Sequence, residues 1–342
     1  MTRLTLEEIA EKAGVSRSTV SRVINQQPNV QGEVRERVLK IIEETGYQPN
    51  AAARSLASQH SGILGLVLPR TVQAMFTDPY MPRLIQGVAQ ACNQHDYTLS
   101  LFLLNTQDEE RKLYPRLARR GLVDGVVIQV SHIEDELISR MAQSDVPFVV
   151  AGRPAQVSEA SFVDVDNVSG AYSAVSYLIL QGRTRIATIA GPQDTAAGLD
   201  RLAGYQKALR ERGVTLDERL VVEGDFTEAG GYFAAQRLLE HKPDAIFAAS
   251  DMMALGGLRA LRDAGLSAPG DVAVIGFDDL PPVGSANPPL TTVRQPIRRM
   301  GIKLVETLLD IIENGNHPPR RIVFDTELVI RESCGSGISR RT

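Results

Sequence analysis

LTLEEIAEKAGVSRSTVSRVIN, residues 4–25, carries two helix signals in one line. Thr5 and Glu8, three residues apart, make a capping box, and Leu6, Ile9, Ala10 and Ala13 recur at helical spacing before Gly14 supplies a turn. This spacing predicts a first helix over Leu6–Ala13. Ser16 is a good N-cap for a second helix, with Val20, Val23 and Ile24 inward and Arg17, Ser18, Ser21, Arg22 and Asn25 on the opposite face. A third helix, roughly Glu33–Thr45, sets Val34, Val38, Ile41 and Ile42 inward and stops at Gly46. Residues 1–48 thus read as a small three-helix core. A helix, a glycine turn and a second helix with polar outer residues form the layout of a helix-turn-helix module, whose second helix enters the DNA major groove. On that layout Arg17 and Ser18 stand at the leading edge, and Arg22, one turn on, could fork onto guanine O6 and N7. Periodicity by itself is also satisfied by a solvated helix face.

Charge sharpens the picture by its distribution rather than its total. The 342-residue chain has a formal net charge of −4, and residues 1–60 hold eight Lys/Arg against seven acids, a balance of +1 that leaves −5 for the rest. No acid lies between Glu11 and Glu33 or between Glu44 and Asp78, so Lys12, Arg17 and Arg22 form one basic window, and Arg54 and Arg70 another. Next comes YQPNAAARSLASQHSG, where Asn50 can cap a helix and Ala51–Ala57 are good helix formers. A helix that short is unstable alone in water and should fold only against a partner.

From Ser61 onward, short apolar runs (GILGLVLP, TLSLFLL, DGVVIQV, PFVVAG, RIATIAG, RLVVEGD, DAIFAASD, VAVIGFDD) alternate with amphipathic helical stretches. Runs apolar on both faces and separated by helices indicate parallel sheets with βαβ crossovers. The polar break PAQVSEASFVDVDNVSG near the middle divides them into two sheets of four or more strands. The expected architecture is a small all-α headpiece followed by an α/β core of two doubly wound subdomains facing each other across a cleft. The final part, from PPLTTVRQP to RIVFDTELVIRES, should add one helix and one or two strands.

In such sheets ligands bind outside the carboxyl ends of the strands. Arg153 after PFVVAG, Asp251 after AIFAAS and Asp278 after VAVIGF stand at such ends. Carboxylates and guanidinium groups suit vicinal hydroxyls through paired, charge-assisted hydrogen bonds. Arg153 is equally placed for an ion pair between subdomains, Asp251 for the N-cap of the helix that follows, and Asp166 for a cap or turn.

The string from Leu4 to Ser58 resembles, almost position by position, the headpiece of the lactose/galactose repressor (LacI/GalR) family: IAEKAGVS, TVSRVIN, the GY.PN pattern and ARSLA are its specific parts. The resemblance continues in GLVDGVVI, VDVDNVSGAY, DRLAGYQKAL, SDMMALGGLRAL, VAVIGFDDL and PPLTTVRQP, and so covers essentially the whole chain. It implies a headpiece at 1–48, a hinge helix and linker at 49–60, and a periplasmic-binding-protein-like core at 61–342. Within that core it implies a first subdomain of about 61–162 plus 293–324 and a second of about 163–292 plus 325–335. It further implies base contacts by Arg17, Ser18 and Arg22, with Leu56 as a minor-groove wedge. Phosphate contacts are implied for Thr5, Ser16, Thr19, Ser21, Asn25, Asn50 and Arg54. In the cleft it adds Arg201 as the clamping arginine, Phe226 as an aromatic floor, and Phe76, Asp78, Tyr80 and Met81 from the loop before the first core helix. One departure stands out: Gln31–Gly32–Glu33 occupies a place where the family commonly has a serine cap, at a cost of about 1 kcal/mol.

The functional expectation is a homodimeric, sequence-specific regulator, a repressor, that binds a pseudo-palindromic operator and answers to a small ligand. The polar, carboxylate-bearing set favours a mono- or oligosaccharide over a nucleobase as that ligand. The tail ESCGSGISRRT has no heptad repeat, so a dimer is expected rather than a tetramer. Two other classes fit less well. A transport receptor would carry an export signal, and the opening residues lack an apolar h-region, so a cytoplasmic protein without membrane contact is expected. An enzyme would need a phosphate loop, a metal motif or a placed nucleophile, and the five histidines lack ligand spacing. Cys92 and Cys334 are expected to be free thiols, and no cofactor or metal is expected.

Overall fold

The computed structural model describes residues 4–24, 29–47, 60–68, 78–104, 106–118, 121–129, 136–154 and 159–335. It divides into two compact units, Met1–Ser61 and Gly62–Thr342. The first holds α1 (Leu6–Ala13), α2 (Arg17–Ile24) and α3 (Gly32–Thr45). The capping box forms as expected: Glu8 N donates to Thr5 Oγ1 at 3.3 Å and Thr5 N donates to Glu8 Oε2 at 2.6 Å. The Thr5 N–H and hydroxyl, both donating to Glu8 Oε2, hold the exposed Glu8 carboxyl below its usual pKa. Gly14 closes α1 in the left-handed region, and Ser16 Oγ accepts from Thr19 N to start α2. Ile9, Ala10, Ala13, Val20, Val23 and Val38 are buried together, with Leu6, Ile24, Ile41 and Ile42 packed around them. Val34, also expected inward, is half-buried.

The second unit contains two six-stranded sheets. In chain order its elements are β1 (Ile63–Leu68), α4 (Tyr80–Gln94), β2 (Thr98–Leu103), α5 (Gln107–Leu117), β3 (Gly125–Gln129), α6 (Glu136–Met141), β4 (Phe148–Ala151) and β5 (Phe162–Val165). Then follow α7 (Asn167–Leu180), β6 (Ile186–Ala190), α8 (Ala196–Glu211), β7 (Val221–Glu223), α9 (Glu228–Leu239), β8 (Ala245–Ala248), α10 (Asp251–Asp263) and β9 (Ala273–Asp278). The chain ends with β10 (Thr291–Arg294), α11 (Ile297–Asn314), β11 (Arg321–Phe324) and β12 (Glu327–Val329). The first sheet runs β11-β5-β4-β3-β1-β2 with every pair parallel. The second runs β12-β10-β9-β8-β6-β7, parallel except for β10 with β12.

Apolar side chains fill both faces of each sheet, as the continuous runs require. Leu64, Leu66 and Leu68 of β1 point to one side, where Leu84, Val88, Leu304 and Leu308 cover them, while Val67 joins Val126, Ile128 and Val150 on the other. In the second sheet Ile189, Ile246 and Val274 face one layer, and Phe247, Ile275 and Phe277 the other. Helices α4 and α11 approach so closely that a methyl group on Gly87 would strike the Arg298 carbonyl. Glycine is required there to bring the two backbones into contact. Both cysteines are free and buried, and Cys334 sits in the second core rather than in a loose tail.

Three points differ from the sequence reading. The supposed polar break contains β5, which pairs with β4 and β11; Asp164 in mid-strand interrupts the apolar run that would have announced it. The terminal part forms three strands, β10, β11 and β12, rather than one or two, because buried Thr291 and Thr292 and the three residues of β12 give little apolar signal. The crossings between sheets also move: β5 lies wholly in the first sheet and β10 wholly in the second, so the chain crosses after Val165, between Arg294 and Ile297, and between Phe324 and Glu327. The expected cuts at 162/163 and 292/293 fall inside or beside strands that hydrogen bonding keeps whole.

Candidate functional site

In the first unit α2 presents its polar side outward. Arg17, Ser18 and Arg22 are exposed, Thr19 and Ser21 half-buried. Ser16 Oγ lies 2.8 Å from Ser18 Oγ and 2.9 Å from Thr19 Oγ1, forming a run of hydroxyls at the helix start where backbone N–H groups already favour anions. Arg17 makes an ion pair with Glu7 of α1 at 3.0 Å. Both partners are solvent-exposed, so the pair is worth little and yields readily to a competing anion. Thr5 caps α1 and is exposed. Asn25, Asn50, Arg54, Leu56 and Phe76 lie outside the described residues.

In the second unit, carboxyl ends of strands from both sheets converge on one cavity of about 360 Å³. From the first sheet come Gln129 at the end of β3, Gly152 and Arg153 after β4, Asp164 in β5, and Asp78, Tyr80 and Met81 around the start of α4. The second sheet supplies Asp194 and Thr195 after β6, Asp225 and Phe226 after β7, Ser250 and Met252 after β8, Asp278 at the end of β9 and Gln295 after β10. Asn167 and Arg201 complete the lining from α7 and α8. This is where doubly wound sheets place ligands, because the helix N-termini and irregular loops at strand ends leave polar groups facing inward.

Arg201, 5 % exposed, anchors the arrangement. Its Nε donates to Asn167 Oδ1 at 2.9 Å, its Nη1 to the Ala249 carbonyl at 2.5 Å, and the same nitrogen lies 3.5 Å from Asp278 Oδ1. The guanidinium stacks 3.8 Å from the Phe277 ring centroid, with Phe226 at 5.9 Å. Gln295 Nε2 donates to Asp278 Oδ1 at 2.5 Å. Burial pushes the Asp278 carboxyl up to about 7 in spite of the opposing Arg201 charge, and nearby Asp78 adds to the rise. Burial likewise raises Asp164, whose Oδ1 accepts from Val165 N and Asn167 Nδ2, and raises the Tyr80 hydroxyl. Phe226 occupies the left-handed region, φ 65°, and Asp278 has φ 121°; such strain in non-glycine residues concentrates at binding sites. A methyl on Gly191 would come within 2.6 Å of the Phe226 ring, so that glycine makes room for the aromatic floor.

Of the cleft residues taken from the sequence, the structure brings Asp78, Tyr80, Met81, Arg153, Arg201, Phe226 and Asp278 to the cavity. Asp251 is a correction: it does not line the cavity, nor is it the helix cap, which is Ser250. Fully buried, it accepts from Leu280 N at 2.8 Å and from Thr292 Oγ1 at 2.5 Å, tying β10 and the turn after β9 to α10. Burial raises its pKa well above the usual carboxylate value. Arg153 has both of its anticipated features, since it lines the cavity and also holds both oxygens of Asp200, at 2.5 and 2.6 Å, across the cleft. Asp166 caps α7 through Ser169 N. Sequence reasoning missed Gln129, Asp164, Asn167, Asp194, Asp225 and Gln295. Gln129, Asn167, Asp194, Asp225 and Gln295 stand at or soon after a strand's end, the signal that could have found them, whereas Asp164 lies inside β5 and carries no such signal.

Residues 5–50 match the bacterial regulatory proteins of the lacI family, and residues 175–334 match a periplasmic binding protein-like domain. Over 335 residues the chain is 42 % identical to the HTH-type transcriptional regulator CelR of Thermobifida fusca, covering 97 % of this chain and 98 % of that one. The chain belongs to the LacI family. A second LacI-family relative, the HTH-type transcriptional repressor PurR of Vibrio atlanticus (strain LGP32), is 34 % identical over 96 % of this chain and 98 % of its own. Among solved structures, a transcriptional regulator CelR–cellobiose complex matches with a TM-score of 0.77 at 40 % identity, covering 97 % of this chain and 100 % of that one. The lac repressor dimer bound to operator and the anti-inducer ONPF matches with a TM-score of 0.85 at 27 % identity, covering 97 % and 99 %. This LacI-family chain is a DNA-binding transcriptional regulator and not an enzyme. Among the described residues no helix is long and apolar enough to cross a membrane, and no group of ligating side chains could hold a metal ion.

Proposed function

We propose that this regulator acts in the cytoplasm as a homodimeric repressor whose two headpieces bind the half-sites of a pseudo-palindromic operator. A mono- or oligosaccharide in the core cleft controls that binding. The single observation that carries the ligand assignment is the cavity lining: a clamped arginine, carboxylates and side-chain amides stand around the Phe226 and Tyr80 rings. Polar groups that form paired hydrogen bonds suit vicinal hydroxyls, and an aromatic face suits the apolar side of a pyranose. The cellobiose complex of the CelR relative supports a β-linked glucose disaccharide as the first ligand to try.

For the headpiece, Arg17, Ser18 and Arg22 are the proposed base readers, with Thr5, Ser16, Thr19, Ser21 and Asn25 on phosphates. Asn50, Arg54 and Leu56 are assigned to a hinge segment within 49–60 that contacts the backbone and the minor groove at the operator centre. A second reading, a nucleobase effector, is favoured by the PurR relatives. Thermal-shift titration of the purified chain with cellobiose, other glucosides, hypoxanthine and guanine separates the two, because a ligand that prefers the folded state raises the melting point. Repeating a mobility shift on the DNA upstream of the gene with the hit tests control; a hit that leaves the shift unchanged would defeat the effector assignment.

A further inference from the structure

The described residues lining the cleft include five aspartates, Asp78, Asp164, Asp194, Asp225 and Asp278, against two arginines, Arg153 and Arg201. Both guanidinium groups are engaged by the protein itself. Arg153 grips Asp200, and Arg201 is held by Asn167, the Ala249 carbonyl and Asp278. The aspartates approach from both sides, Asp78 and Asp164 from the first subdomain and Asp194, Asp225 and Asp278 from the second. Asp164 and Asp278 are more than nine-tenths buried; burial raises both carboxyls, and the neighbouring carboxylates Asp200 and Asp78, respectively, add to the rise against the pull of Arg201. A hydroxyl donates to such carboxylates at no cost in charge, and an ammonium group both donates and compensates. A phosphate or carboxylate would enter a poorly solvated space beside like charges, with the described cations already taken.

We propose that the cleft selects its ligand by charge, accepting uncharged and amine-bearing sugars and rejecting those that carry a phosphate or a carboxylate. This rests on the sugar reading above, and Asp164 and Asp194 are its specificity-determining residues.

The test is calorimetric titration of the full chain with cellobiose and its derivatives at the non-reducing C6: an amine, an acetyl ester and a phosphate. The acetyl ester controls for size. Binding of the phosphate at least tenfold weaker than the acetyl ester, with the amine as tight as cellobiose or tighter, is expected. Asp164→Asn and Asp194→Asn, which keep an acceptor oxygen, should each narrow the acetyl-to-phosphate ratio severalfold. A phosphate that binds as well as the acetyl ester overturns the proposal, as does a ratio that neither substitution moves. If every saccharide fails but purines bind, the sugar reading falls by itself, and inosine against inosine 5′-monophosphate decides the charge rule: preference for the monophosphate overturns it, preference for inosine upholds it. No binding in either series overturns both.

Discussion

Arg201 concentrates the chemistry of the cleft in one side chain, with three hydrogen-bond partners in fixed directions and an aromatic ring beneath. Lysine cannot reproduce that fork, so Arg201→Lys is expected to weaken effector binding at least tenfold by calorimetry while circular dichroism still shows a folded core. Asp278 belongs to the same unit and predicts a pH effect. Burial lifts its carboxyl from the ordinary 3.8 to about 7, and Asp164 and Asp251 are raised as well, so the folded chain holds protons more tightly than the unfolded one. Stability contributed by this protonation is present at low pH and is lost as pH rises from about 4 through 7. Groups with lowered values, such as Asp217 held at about 2 by its hydrogen bonds with Arg219, act below that window. Scanning calorimetry should therefore find a core melting point higher at pH 5 than at pH 8, and Asp278→Asn should flatten the difference.

On the scale of elements, α2 and β5 mark the two extremes of legibility. The start and the inward face of helix α2 were readable because a cap, a 3.6-residue period and a turn glycine agree with one another, and its core is made within 45 residues of sequence by Ile9, Val20, Val23 and Val38. Its outward arginine yields a direct prediction: Arg22→Ala should weaken operator binding by about 1–3 kcal/mol in mobility shifts and relax base choice at one position per half-site. The start of α3 is less well made, since Gln31 occupies the cap position without a side-chain hydrogen bond. Gln31→Ser should stabilise the headpiece by about 1 kcal/mol, seen as slower amide exchange at Val38. Strand β5 was hidden for the opposite reason. One of its neighbours, β11, is distant in sequence, and the residue that spoils its apolar pattern, Asp164, is the one that faces the cavity. A binding residue inside a strand conceals the strand.

Across the whole core, two sheets are joined where the chain crosses after β5, before α11 and after β11, and the cavity is built from strand ends on both sides of those crossings. A ligand held by both subdomains changes their relative arrangement only to the extent that it prefers one arrangement, and any effect on operator affinity must be returned in kind. Fluorescence anisotropy with labelled operator, with and without saturating effector, should thus give the same coupling factor as effector titrations with and without operator. The two-part organisation, the helix-turn-helix layout and the parallel α/β class were determined by sequence alone, because each rests on local periodicity, caps and glycine turns that neighbouring residues set. Which strand-end residues share a cavity was decided only by tertiary structure. Asp251 and Asp278 end similar apolar runs, yet one is consumed by Leu280 and Thr292 within the protein and the other faces the cleft, since burial and partners depend on crossings between distant strands that no local pattern encodes.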